Sequence, residues 1–90
     1  MRLPKVEQWA PVEVHWQDSA GGESGWHKPK KHELEIDGCV TIGQVYAIRA
    51  DRICLVLSRD TSNKNIDSII TIPTIAITAF HALRRIATRA

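Results

Sequence analysis

Apolar and polar residues alternate along several short stretches of this chain, which is the pattern of half-buried β-strands. The first stretch is residues 12–16, whose alternation puts Val12, Val14 and Trp16 on one face. Residues 1–10 show no sustained period and are interpreted as an N-terminal lead-in. Residues 17–25 are rich in glycine and serine, which favour turns, so we predict a glycine-rich loop that ends near Trp26.

The middle of the chain predicts three further strands. Residues 39–49 are dense in β-branched and aromatic side chains, and Gly43 interrupts them as a bend or bulge would. Residues 52–59 are mostly apolar and are predicted to return as the second strand of a hairpin. After the polar turn cluster 60–65, residues 66–72 form another strand, which Pro73 ends because it has no N–H to donate to a ladder.

Two segments leave alternatives open. A short helical turn and a short edge strand fit residues 33–37 equally well. In residues 74–90, Thr/Ile-rich composition favours a strand over 75–80, whereas the later Ala-Leu-Arg-Arg-Ile-Ala favours a short C-terminal helix.

Taken together, the period-2 segments predict a mainly β domain, a small, strongly bent antiparallel barrel of five strands over residues 11–90. The inward-facing set is expected to include Val14, Trp16, Val40, Ile42, Val45, Ile53, Leu55, Leu57, Ile70 and Ile72.

Length and composition narrow the class of protein. Ninety residues fit one small domain, and 43% hydrophobic with 24% charged residues is ordinary for a folded chain. A net charge of +2 does not by itself indicate a nucleic-acid binder. Two cysteines, no signal-like N-terminus and no apolar run long enough to span a bilayer predict a soluble cytoplasmic protein without a membrane partner.

Several short motifs carry a resemblance to a known group. They are VHWQDS from Val14, the Gly25-Trp26 pair, Thr41-Ile42-Gly43, ICLVLSRD from Ile53, and Ile72-Pro73. Together they resemble small uncharacterised proteins of tailed bacteriophages and prophages that look like Sm-like small barrels. The resemblance covers residues 12–83 and implies five bent strands, self-association through strand edges, and the host cytoplasm as the setting. It transfers no catalytic residues.

Metal-binding and catalytic patterns are weak in the sequence. The candidate ligands His15, His27, His32, His81, Cys39 and Cys54 show no CxxC or HxxxH spacing, so we predict no metal and no cofactor. No nucleophile elbow, phosphate-binding loop or dinucleotide motif occurs. The chain is therefore predicted not to be an enzyme.

Binding residues are the sharpest local feature. Trp26, His27, Lys28, Lys30 and Lys31 combine an aromatic plane with cationic groups, which suits stacking on a base and contact with phosphate. Arg84 and Arg85 form a second basic feature. The alternative is structural: Trp26 caps one end of the barrel, the lysines keep the surface soluble, and the arginines complement a helix C-terminus.

The leading functional hypothesis is a non-enzymatic phage or prophage accessory protein that self-associates and binds a nucleic acid or nucleotide. A second hypothesis is a protein-binding inhibitor or adaptor that acts on a host complex as a counter-defence factor. A third is a virion assembly component.

Overall fold

The fold is a single antiparallel sheet of five strands. The computed structural model describes residues 2–19, 26, 28 and 36–87. The strands are β1 (Pro11–Ser19), β2 (Ile36–Ile48), β3 (Arg52–Arg59), β4 (Ile66–Pro73) and β5 (Ile77–Ala82). A 3-10 turn, Thr74–Ala76, joins β4 to β5. The mainly β, five-stranded antiparallel prediction is confirmed at this level.

The sheet curls because its two outermost strands are consecutive in sequence. The strand order is β4-β3-β2-β1-β5, so β4 and β5 are the two edges. Five flat strands would hold the edges about 19 Å apart. The four residue steps from Pro73 to Ile77 span at most about 14 Å. The edges must therefore bend toward each other, although the sheet is not closed, since the described strands β4 and β5 do not pair with each other.

The core lies on the concave side of this bent sheet. Seven residues from all five strands form one buried apolar cluster: Val12, Val14, Val45, Ile53, Leu55, Ile72 and Ile77. Trp16 and Ile70 are half-buried and pack against this cluster, as do Leu3 and Val6 of the N-terminal segment. Most of the predicted inward-facing set is confirmed, and Val12 shares the face of Val14 as its alternation predicts.

Three members of the predicted inward-facing set are exposed. Val40 and Ile42 are each 57% exposed and Leu57 is 64% exposed. In the β1–β2 register Val12 and Val14 lie opposite Gly43 and Thr41, and opposed residues share a face. Val40 and Ile42 therefore point outward. Leu57 lies beyond Val56, where the pairing of β3 with β2 ends.

Strand boundaries also differ from the sequence prediction at β1 and β2. β1 continues through Gln17 and Asp18 to Ser19, residues assigned to the loop from composition, because they pair with the start of β2. β2 begins at Ile36. Residues 36 and 37 of the ambiguous segment 33–37 therefore belong to a strand, and residues 33–35 lie outside the described residues.

The predicted C-terminal helix is wrong over residues 83–87. Ala82 still belongs to β5, and the Leu83 N–H donates to the Pro11 carbonyl at 3.0 Å, which extends the β1–β5 pairing. Residues 83–87 are exposed and have no regular secondary structure. A helix this short, with no packed face, does not offset the cost of nucleation.

Across the described ranges 2–19 and 36–87, no helix has the length and apolar character needed to cross a membrane.

Candidate functional site

The residues singled out from the sequence lie in two places. Trp26 and Lys28 are exposed, and so are Arg84 and Arg85 in the segment after β5. His27, Lys30 and Lys31 lie outside the described residues. The role of the Trp26 segment therefore stays a prediction, whereas Arg85 lies beside an aromatic residue of the N-terminal segment.

That aromatic residue is Trp9, which immediately precedes β1. Its N–H donates to the Val45 carbonyl at 2.6 Å, and the Val45 N–H donates to the Ala10 carbonyl at 3.0 Å. The Gln8 side-chain amide also donates to the Tyr46 carbonyl at 3.2 Å. The N-terminal segment is thus attached to β2, and this attachment fixes the position of Trp9 with its backbone at φ 70°.

Arg59, the last residue of β3, lies over the Trp9 ring. Its guanidinium carbon is 4.9 Å from the ring centroid, within cation–π range. The Arg59 Nε–H donates to Oε1 of Gln44 at 2.9 Å. Trp9 in turn contacts Tyr46, with ring centroids 5.8 Å apart and a tilt of 48°. Two contacts therefore hold an exposed guanidinium in one orientation.

The turn after β3 adds a second cation and one acid. Lys64 has a left-handed backbone with φ 60°, and its N–H donates to the Asp60 carbonyl at 2.8 Å. Oδ1 of Asp60 accepts from the N–H groups of Ser62 and Asn63, and Oδ2 accepts from the Asn63 amide at 2.9 Å. These hydrogen bonds lower the pKa of Asp60 below its ordinary value. The Asp60 carboxylate stays ionised, with both oxygens engaged inside the turn.

These residues surround a cavity of about 340 Å³. Its walls are Gln8, Trp9, Arg59, Asp60, Thr61, Lys64 and Ile66. Nη2 of Arg85 lies 3.5 Å from the Trp9 carbonyl oxygen, at the long end of hydrogen-bond range. We call Trp9, Tyr46, Arg59, Lys64 and Arg85 the Trp9 cluster.

The Trp9 cluster has the chemistry of a site for a phosphate-bearing ligand with an aromatic base. Within the described part of the chain, Nη1 and Nη2 of Arg59 donate no hydrogen bond, so both are available to an anion. Guanidinium and aromatic planes both stack on nucleobases. A volume near 300 Å³ is at the lower end for small-ligand sites. The cavity therefore fits a nucleotide unit better than a large metabolite.

Sequence analysis did not find this cluster, apart from Arg85. No motif in the sequence groups Trp9 with Arg59 and Lys64. The residues come from the lead-in, β2, the end of β3, the β3–β4 turn and the C-terminal segment, so no local spacing connects them. The only sequence signal is an arginine at a strand end that is followed directly by a polar turn.

Apart from the Trp9 cluster, a group of side chains on the outer face of β1 and β5 could hold a metal ion. One ligand atom from each of Glu13, His15 and His81 lies within 4.8 Å of the other two.

No protein-family model, curated protein or solved structure matches this chain.

Proposed function

We propose that this chain is a non-enzymatic accessory protein that binds single-stranded nucleic acid or a nucleotide through the Trp9 cluster. The resemblance to phage and prophage proteins supplies the proposed setting, a host cytoplasm, and the bent five-stranded sheet fits the Sm-like small barrel that the resemblance implies.

The orientation of Arg59 is the observation that carries the proposal. A solvated arginine samples many rotamers and loses that freedom when it binds a ligand. Gln44 and Trp9 have already fixed the Arg59 guanidinium, so less conformational entropy remains to be lost. Its free N–H groups can bind a phosphate in the bidentate manner, while Lys64 and Arg85 add positive charge nearby.

Binding of a fluorescein-labelled single-stranded oligonucleotide, followed by anisotropy, tests this proposal. Arg59→Gln removes the charge and the cation–π contact together, and we expect an affinity loss of tenfold to a hundredfold, since one stacked or paired unit contributes about 1–3 kcal/mol. Arg59→Lys keeps the charge without the plane and should fall between wild type and Arg59→Gln.

Arg49→Gln is the matched control. Arg49 is an exposed arginine that follows β2 at the opposite end of the sheet from Arg59, and its Nη1 donates only to the neighbouring Ile48 carbonyl. This variant loses the same unit charge. If the oligonucleotide bound only through nonspecific charge attraction, Arg49→Gln and Arg59→Gln would lose affinity equally. Equal losses for Arg49→Gln and Arg59→Gln, or no binding by wild type at low salt, would reject the site and leave the protein-partner hypothesis ahead.

Self-association is the second part of the proposal, and the edge strands support it. β4 and β5 each pair on one side only within the described sheet, and such edges are templates for strands of another copy. Ile69 and Ile75, on β4 and the 3-10 turn, are exposed apolar residues. A β4 edge that pairs with the β5 edge of a second copy repeats head to tail and gives a ring or a filament.

Sedimentation equilibrium tests the self-association. We expect wild type to sediment as a multiple of 10.1 kDa at micromolar concentration. Ile69→Lys with Ile75→Lys should shift the mass toward the monomer. Leu57→Lys, at another exposed apolar residue but on the interior strand β3, should leave the mass unchanged. A wild-type mass of 10.1 kDa would contradict this part of the proposal.

A further inference from the structure

Strand register brings two histidines and one glutamate together on the outer face of the sheet. Val12 and Val14 of β1 are buried, so Glu13 and His15 point to the opposite face. In the β1–β5 pairing, Glu13 lies opposite His81 and His15 lies opposite Ala79. The small side chain of Ala79 lets the His15 ring lean toward His81, and the two ring centroids are 5.6 Å apart.

The distances within this triad are close to those of a metal site. His15 Nε2 and Glu13 Oε2 are 3.1 Å apart, and all three ligand atoms lie within 4.8 Å of one another. Ligands that hold zinc tetrahedrally at about 2.0–2.1 Å are separated by about 3.3 Å. One pair therefore already has nearly the required spacing, and His81 is exposed on an edge strand, where its side chain is free to turn toward the other two ligands.

The local backbone holds the triad in place. The register of β1 against β5 shifts between His15 and Trp16, and this irregularity changes the direction of the side chains beside it. The Thr78 hydroxyl donates to the His15 carbonyl at 3.2 Å and so anchors this point of the ladder. Val40 and Ile42, opposite His15 and Glu13 on β2, supply apolar surroundings on the same face.

We propose that Glu13, His15 and His81 form a binding site for a divalent transition-metal ion, with Zn²⁺ as the best fit. Two imidazoles and one carboxylate are a donor set that zinc sites use, and three protein ligands leave a coordination position for water or another donor. The ligands project from the face of the sheet, whereas self-association would use its backbone edges, so the two features are compatible. This site is independent of the Trp9 cluster.

The ion would connect an edge strand to its neighbour. His15 and His81 belong to β1 and β5, and the unfolded chain does not hold them together, so the ion binds the folded state preferentially. At a hundredfold excess of free zinc over the dissociation constant, the melting temperature of a domain of this size should rise by about 10–20 °C. Without the triad the rise should disappear.

Thermal melting with ZnCl₂ alone, together with zinc titration calorimetry, tests the site. Wild type should bind one ion per chain and melt at higher temperature. His81→Ala and Glu13→Gln should each lower the zinc affinity by at least tenfold, and neither removes a buried side chain. The double variant His27→Ala/His32→Ala removes the two other imidazoles of the chain and should keep the full response.

Imidazole ¹⁵N spectra provide a readout that does not depend on stability. Zinc should shift the ring nitrogens of His15 and His81 and leave those of His27 and His32 unchanged. A thermal shift of equal size in wild type and His81→Ala would overturn the proposal. The absence of any zinc-dependent shift of the His15 and His81 ring nitrogens would overturn it as well.

Discussion

Two residues that line the cavity beside Arg59 have a backbone conformation that L-amino acids adopt at a cost. Trp9 and Lys64 have φ of 70° and 60°, and neither is glycine. Left-handed backbone costs about 1–2 kcal/mol for a residue with a Cβ atom. Such strain persists where surrounding contacts determine it, and it concentrates at functional sites. The contacts here are the Trp9 N–H to Val45 and the Lys64 N–H to Asp60.

Substitutions of Lys64 separate strain from charge. Lys64→Gly relieves the backbone and Lys64→Ala does not, so the glycine variant should be more stable by about 1 kcal/mol in urea unfolding. Both variants lack the ammonium group and should lose oligonucleotide affinity equally. The same pair of substitutions at Thr61, which has no positive φ, should give the reverse order of stability. Equal stabilities of the two Lys64 variants would contradict the strain.

Gly43 is required where two strands approach closely. A Cβ atom added there would lie 3.0 Å from the Val56 carbonyl oxygen and 3.4 Å from the Leu55 Cβ, and the oxygen belongs to the backbone of β3. We expect Gly43→Ala to lower the free energy of unfolding by about 1–3 kcal/mol.

Gly38 is the control in the same strand, because a Cβ atom there would meet nothing within 4 Å. Gly38→Ala should change the free energy of unfolding by less than about 0.5 kcal/mol. Urea unfolding measures both variants, and equal effects at the two positions would refute the close approach.

At the scale of elements, the β3–β4 turn is organised by one carboxylate. The Asp60 side chain accepts hydrogen bonds from Ser62 and Asn63, while its backbone N–H donates to the Asn65 carbonyl at 2.7 Å. This turn positions Lys64 against the cavity. The order of the turn and the charge of Asp60 are therefore coupled.

Acid should weaken the turn. The pKa of Asp60 is lowered in the folded state by hydrogen bonds from Ser62 and Asn63, so its stabilising contribution is present above the ordinary aspartate pKa. The contribution is lost as pH falls below about 4 and through the lowered pKa. The difference in melting temperature between wild type and Asp60→Ala should thus be constant near neutrality and shrink below that pH. A difference that stays constant down to pH 2 would contradict this role.

Elements with local signals could be predicted from the sequence, and elements set by pairing could not. The polar turn 60–65 separates β3 from β4 in the sequence, and Pro73 marks the end of β4. The predicted ranges 52–59 and 66–72 accordingly match Arg52–Arg59 and Ile66–Pro73 almost residue for residue. Leu83 departs from its helical pattern because its N–H pairs with Pro11. Val40 and Ile42 look inward by composition, and only the register against β1 reveals their true face.

At the scale of the whole molecule, strand order and register bring the residues of both candidate sites together. Arg59 meets Trp9 across 50 positions of sequence, and His81 meets His15 across 66. Pairwise distances of this kind depend on strand order and register, which a single sequence does not specify. The basic and aromatic residue types of a binding site could be predicted from the sequence. Their location could not, because a sequence shows only local clusters, and the clearest local cluster is the contiguous Trp26 segment.

The most direct test of the Trp9 cluster is ¹H–¹⁵N NMR of the labelled protein titrated with an unlabelled single-stranded oligonucleotide. We predict that the Trp9 indole N–H and the Arg59 side-chain N–H signals shift first and most, because the proposed ligand stacks on the Trp9 ring and binds the Arg59 Nη groups, next to the Nε–H that Gln44 holds. Shifts confined to Trp26 and Lys28, or no shifts at all, would contradict it.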